Sequence, residues 1–306
     1  MDWTESLRRA VDFMEKNLLE NIYPDDVAKA VCISPFYLER GFKVMTGFSI
    51  GEYIRNRRLY LSALDILSSN EKVIDIALKY GYDTPESYTK AFTRFHGISP
   101  VQLRKEPHRL RTFLPLKIKV IIQGGNDMDF VVEKMSGFKV IGYEYIVSSE
   151  TSYTDIPKVW DKFASSFGRV MNGKAPETTE EKAVAENCIG EFGICIDDAG
   201  KNKFRYLIAG AYKGGNVPKC MTVYELPDAE WAKFKCIGPL PGALQSVNTR
   251  IFREWLPGNP DYEIAFGTNI EWYSKGDSSK ADYESEIWIP VQHNTNNQLT
   301  YRQILG

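Results

Sequence analysis

Covalent and metal chemistry need clustered nucleophiles and ligands, and this chain scatters them. Its five cysteines (Cys32, Cys188, Cys195, Cys220 and Cys236) form no CxxC pair and are odd in number. The three histidines, His96, His108 and His293, are far apart in sequence. Structural zinc takes closely spaced Cys and His ligands, so neither a metal nor another cofactor is expected. No Ser/His/Asp or Cys/His set points to a nucleophile, so the chain does not read as an enzyme. A reduced, cytoplasmic protein fits these cysteines better than a disulfide framework. The chemistry that remains is ionic. Residues 33–111 carry 13 Lys and Arg against 8 Asp and Glu, a balance of +5 inside a chain of net charge −2. Such a segment calls for an anionic partner of its own.

The same segment writes one sentence twice. SPFYLERGFKVMTG occupies residues 34–47 and TPESYTKAFTRFHG occupies residues 84–97. Each opens with a hydroxyl residue and Pro, a helix N-cap followed by a first-turn proline, and each closes on Gly. Asp26-Val27-Ala28 corresponds to Asp75-Ile76-Ala77 upstream of each copy. A short helix, a tight turn and a second helix make the helix-turn-helix plan. The stretch 49–70 reads as a longer linking helix, with Tyr53, Leu61, Leu64 and Leu67 as candidates for burial. At 1.5 Å per residue it spans roughly 30 Å, close to the ~34 Å between successive major grooves on one DNA face. One helix can therefore hold two reading heads about one turn of DNA apart.

Helical spacing sorts each head into faces. In the first, Phe36, Tyr37, Glu39, Arg40 and Lys43 share the exposed side, with Leu38 and Phe42 inward. In the second, Thr84, Glu86, Ser87, Thr89, Lys90 and Arg94 are exposed, with Tyr88, Ala91 and Phe92 inward. Arg55, Arg57 and Arg58 follow the first unit and suit phosphate contact.

Residues 5–111 resemble the DNA-binding domain of the AraC/XylS family of bacterial transcriptional regulators. GYDTPESYTKAFTRFHGISPVQLRK carries the resemblance most fully, with Leu103 where an aromatic residue is common. The resemblance implies that the positions of Phe36, Glu39 and Arg40 reach base edges. Arg40 would then be a bidentate donor to guanine, and Glu39 an acceptor from cytosine. Close relatives often carry Trp and Gln where this chain has Phe36 and Glu39, so its target sequence is its own.

After a connection at 112–126 the pattern changes to strand alternation. The order is strand, strand, helix, strand, strand, and then the same again. Trp160 and Phe163 in the first helix have Phe252 and Trp255 as analogues in the second. Two such units predict an α+β domain over 127–306. Its antiparallel sheet would have helices on one side and a pseudo-two-fold axis, with a cleft between the halves.

The segment from Ala229 to Val291, with Gly238-Pro239, Glu254-Trp255-Leu256-Pro257 and the closing EIWIPV, resembles the GyrI-like effector-binding domain. Regulators of the Rob type join these two domains in this order. The fold class expected is an all-α double helix-turn-helix domain, residues 1–111, followed by a duplicated GyrI-like α+β domain. In the closing strand Ile287, Ile289 and Val291 share one face and suit the helix-covered core, while Glu284, Glu286 and Trp288 share the other. The resemblance implies a ligand-binding acid here, and Glu286 is preferred over Glu284. An acid among aromatic rings suits a lipophilic cation. Tyr143, Tyr145, Tyr206, Trp231, Trp272 and Tyr273 are candidate pocket walls.

Together these features predict a DNA-binding regulator that senses a small molecule, with promoter DNA, an effector and RNA polymerase as partners and no membrane segment. The alternatives are a GyrI-like hydrolase tethered to DNA, or a C-terminal domain that binds another protein.

Overall fold

The computed structural model describes residues 3–118, 128–200 and 202–294; residues 119–126 of the expected linker lie outside them. The chain divides into two compact units. One comprises Thr4–Ile33 and Leu38–Ile121, and the other Met1–Trp3, Ser34–Tyr37 and Ile122–Gly306.

The first unit is helical. Its helices are α1 (Trp3–Lys16), α2 (Pro24–Val31), α3 (Pro35–Thr46), α4 (Ile50–Ser68), α5 (Val73–Lys79), α6 (Pro85–His96) and α7 (Pro100–Lys105). Leu7, Val11, Met14 and Leu18 form the buried stripe that their spacing predicts. A reciprocal pair, Ser49 and Glu52, caps the linking helix α4. The front of α4 buries Ile50, Tyr53 and Ile54, with Tyr53 edge-on to Phe42 at 5.8 Å. Its rear half buries Leu59, Ala63 and Ile66 in a second core with Ile76, Tyr88, Phe92 and Leu103. The expectation of Leu61, Leu64 and Leu67 is corrected here: Leu64 is exposed and the other two are half-buried. The whole stripe turns because two neighbouring units pack on α4 from different sides.

The second unit holds a nine-stranded antiparallel sheet: β1 (Phe130–Met135), β2 (Phe138–Ser148), β3 (Phe192–Ile196), β4 (Lys203–Ala211), β5 (Thr222–Leu226), β6 (Ala229–Ile237), β7 (Tyr262–Ile264), β8 (Thr268–Tyr273) and β9 (Glu284–His293). Helices α8 (Ser152–Met171), α9 (Thr179–Glu186) and α10 (Gly242–Arg250) complete it, α10 running on through a π turn at Ile251–Trp255. The sequence reading expected one helix before β3. The structure adds α9, opened by a Thr178–Glu181 capping box. The strand before β9 in the second half is divided into β7 and β8.

Strand order is β1-β6-β9-β8-β3-β4-β2-β5, with β7 beside β9. The duplication is therefore real but exchanged. The first strand of each half, β1 or β5, pairs within the other half's block. This exchange fixes the curvature. β1 and β2 sit near opposite ends of the order, yet only Ser136 and Gly137 join them. Pro227 and Asp228 alone join β5 to β6, and Asp228 Oδ1 accepts the Gly137 amide at 2.5 Å. The sheet must curl until its ends meet. Its concave face is filled by Val140, Phe192, Ile194, Leu207, Leu226, Trp231, Ile270 and Trp288. Helices cover the convex face, where Trp255 meets Phe234 at 4.9 Å and Phe163 meets Tyr143 at 5.9 Å.

Candidate functional site

The most exposed of the candidate reading faces is on α6. Thr84 Oγ1 accepts the Ser87 amide at 3.2 Å, and Pro85 takes the first helical position. Gly97, at φ 77°, ends the helix in the left-handed region that glycine tolerates best. Tyr88, Phe92 and Phe95 turn inward. Thr84, Glu86, Ser87, Lys90 and Arg94 are exposed, and Thr89 is half-buried. Thr93, three residues beyond Lys90, is exposed on the same side and is a candidate that the sequence reading omits. Tyr82, in the turn before α6, lies within electrostatic reach of Arg55, Arg58 and Arg94. Burial pushes its phenol upward and those three cations oppose the push. The exposed Arg55 and Arg94 thus belong to one basic surface.

The first unit departs from expectation. Phe36 and Tyr37, predicted as exposed readers, are buried at 5% and 0% exposure. Glu39 is also buried; its Oε2 accepts the Ile50 amide at 3.4 Å, at the positive N-terminal end of α4. Arg40 and Lys43 are half-buried.

The basic cluster on α4 splits in the same way. Arg57 is 4% exposed and makes a two-pronged pair with Glu15, Nε to Oε1 and Nη2 to Oε2, both at 2.8 Å. Its Nη1 donates to the Phe113 carbonyl at 2.5 Å. Arg58 donates to the carbonyls of Leu18 and Glu20, just beyond α1. Both cations fasten segments together, Arg57 through Glu15 of α1 and Arg58 through the carbonyls that follow it. Only Arg55 of the three is exposed.

In the sheet-bearing unit, cross-strand register sorts the candidate pocket residues into two sets. Tyr145 opposes Tyr206, which opposes Cys195, which opposes Asn269. Tyr143, Tyr145, Tyr206 and Tyr273 therefore share the convex, helix-covered face. Trp272 opposes Glu286, and Lys233 opposes Trp288. Glu284, Glu286, Trp231, Trp272 and Trp288 belong to the concave face. Glu286, the preferred ligand acid, therefore shares its face with Trp272 and Trp288 and not with the helices. Trp231 and Trp288 are core residues, and Lys233 Nζ already lies over the Trp288 ring at 4.1 Å. Glu286 accepts from Trp288 Nε1 at 2.5 Å. Glu284 is exposed and paired with Lys235 at 2.8 Å.

An acid on the convex face that meets the aromatic candidates is Glu271, between Ile270 and Trp272 on β8. Its Oε2 accepts from Tyr273 Oη at 2.8 Å and from Tyr206 Oη at 3.3 Å. Trp160 of α8 donates from Nε1 to Tyr206 Oη at 2.7 Å and stands edge-on to Tyr273 at 5.1 Å. Gly193 lies directly opposite Glu271 across the β3–β8 pair. A Cβ there would fall 2.3 Å from Tyr206 Oη and 3.2 Å from Glu271 Oε2, so the close approach requires glycine. Both phenols are held well above their ordinary range, first by burial and then by the negative charge of Glu271. They stay protonated and donate to the carboxylate. The alternation TNIEWY already placed this acid on one face with Tyr273; what it lacked was a sign of which face the helices cover.

Among the described residues no group of three or more His, Cys, Asp and Glu side chains could hold a metal ion. No described helix is long and apolar enough to cross a membrane.

Comparison with known proteins divides at the same place as the fold. The family described as "Integron-associated effector binding protein" matches residues 132–291, and "Helix-turn-helix domain" matches residues 27–106. The HTH-type transcriptional activator AarP of Providencia stuartii is 37% identical over 108 residues, covering 35% of this chain and 80% of AarP. The right origin-binding protein of Escherichia coli (strain K12) is 35% identical over 107 residues. That match covers 35% of this chain and only 37% of the relative. Among solved structures, SAV2435 bound to tetraphenylphosphonium covers 54% of this chain and 94% of its own, with 17% identity and a TM-score of 0.43.

Proposed function

The chain belongs to the family of integron-associated effector binding proteins, with an AraC-type DNA-binding domain in front, and from that premise we propose a one-component transcriptional regulator whose effector is a lipophilic cation held at Glu271. The DNA-binding domain reads duplex DNA through α6, with Arg55 and Arg94 on phosphates and Glu86, Lys90 and Thr93 toward base edges. RNA polymerase is its partner at the promoter, and the cytoplasm its place of work. The proposal is a binding protein, not an enzyme.

One observation carries the effector half: a carboxylate on the helix-covered face, held by two buried phenols beside Trp160. Negative charge fixed among aromatic rings favours a cation that presents apolar surface, through ion pairing and ring-face contact together. A neutral aromatic ligand would bury the acid without a counter-charge, which is costly.

The test is equilibrium titration of the full chain with tetraphenylphosphonium, comparing wild type, Glu271→Gln and Glu286→Gln. Loss of a desolvated charge pair costs about 2 kcal/mol or more, a weakening of ~30-fold or greater. Glu271→Gln should show that loss, and Glu286→Gln should bind as wild type does. Equal binding by Glu271→Gln, or loss confined to Glu286→Gln, would refute the assignment.

A further inference from the structure

The chain leaving α7 does not depart freely from the DNA-binding domain. It turns back across α4 and touches both helix-turn-helix units. Arg111 donates its amide to His96 Nδ1 at 3.3 Å, and its guanidinium donates to the Phe95 carbonyl at 3.1 Å. The same guanidinium lies 4.7 Å from the centre of the Phe95 ring. His96 contacts the Leu59 carbonyl through Nε2 at 3.2 Å. Two residues further, Phe113 packs between units. Its ring lies 6.0 Å from Phe95 at the end of the second recognition helix. On the other side it lies 5.3 Å from Phe48 and 6.0 Å from Tyr53, which belong to the first unit and the front of α4. Arg57 holds the Phe113 carbonyl, and Leu116 donates its amide to Tyr53 Oη at 3.3 Å.

We propose that residues 110–116 form a strap that locks the two reading heads at one spacing, with Phe113 as the bolt. The proposal rests on the DNA-binding half of the reading above. A single helix, α4, fixes the axial distance between heads but leaves each unit a direction in which to rock around it. A side chain wedged between Phe48 and Phe95 removes that freedom, because interlocked aromatic rings tolerate little displacement. The strap is also the segment that leads out of this domain, so tension on it bears on head spacing before anything else.

Head spacing can be read from DNA. Duplexes selected from a random pool by the full chain would be remade with one or two base pairs inserted between the half-sites. Each insertion moves the second groove by roughly 3.4 Å and turns it by about 34°. Wild type should lose about tenfold or more in affinity per change of spacing, a loss of ~1.4 kcal/mol. Phe113→Ala and Arg111→Ala should lose less than about threefold, while Leu114→Ala should behave as wild type, since Leu114 is 64% exposed. A purely stabilising role would lower the amount of active protein without changing relative preference among spacings. Should Phe113→Ala fail to fold, Phe113→Leu and the exposed Arg111→Ala decide the matter. Wild-type spacing profiles in folded variants would overturn the strap, as would a wild type indifferent to spacing. Failure to select any duplex would overturn the DNA-binding reading beneath it.

Discussion

Arg57→Ala separates a fastener from a phosphate ligand. The wild-type guanidinium is 4% exposed, uses two nitrogens on Glu15 and a third on the Phe113 carbonyl, and ties α1, α4 and the segment after α7 together. Truncation leaves the Glu15 carboxylate without its counter-charge and opens a void along α4. Breaking a buried pair by removing one partner costs about 3–5 kcal/mol. Glu15 keeps 21% side-chain exposure and the Tyr53 hydroxyl at 2.7 Å, which favours the lower end, ~3 kcal/mol. In a domain of this size each kcal/mol moves the melting temperature by roughly 4–8 °C, so the expected fall is about 12–24 °C. Urea unfolding followed by circular dichroism measures it directly. Arg57→Met/Glu15→Gln, which removes both charges and fills part of the void, should recover much of the loss. DNA affinity at a temperature where the variant is folded should keep its salt slope. If stability were unchanged within about 0.5 kcal/mol while the salt slope fell by ~0.9, as loss of one phosphate contact gives, Arg57 would be a phosphate ligand and not a fastener.

Two further outcomes follow from the same geometry. Gly193→Ala places a Cβ against Tyr206 Oη; about 1–3 kcal/mol of destabilisation is expected from the overpacking, with weaker tetraphenylphosphonium binding, and unaltered binding would mean that the phenol does not support the site. His96 is buried, and burial holds its imidazole below the ordinary range. Its neutral form receives the Arg111 amide at Nδ1 and donates from Nε2 to Leu59, and Arg111 is the charged group that adds to the downward shift. The folded state therefore binds fewer protons than the unfolded one. Stability is full above the unfolded value of about 6.5 and is lost as pH falls through it toward the folded value, by up to ~1.4 kcal/mol per unit. Unfolding curves of wild type and His96→Gln from pH 7.5 to 5 should diverge in slope, and parallel slopes would mean that the imidazole does not titrate on unfolding.

The sequence by itself determined whatever is local. The repeated Ser/Thr-Pro opening and the closing glycine set α3 and α6, because caps act within one turn of the helix they begin or end. The inward side of α6 followed from helical period, since Tyr88 and Phe92 leave Lys90 and Arg94 opposite, although Ala91, also expected inward, is half-buried and Phe95 is buried in addition. Strand alternation likewise sorted the closing strand, setting Ile287, Ile289 and Val291 apart from Glu284, Glu286 and Trp288, while the aromatic candidates on the other strands were left as one unsorted set. What alternation cannot carry is a label for the sets. That label came from the exchange of β1 and β5, which curls the sheet and puts Glu286, Trp288 and Trp231 inside while Glu271 and Tyr206 lie under the helices. Arg57 fell to the same kind of ignorance: its place on α4 gave it a side, but only the path of α1 and of the chain after α7 decided what stands there. Face membership is a property of a few consecutive residues. The identity of a face's neighbour depends on segments a hundred residues away, and no spacing within the element records it.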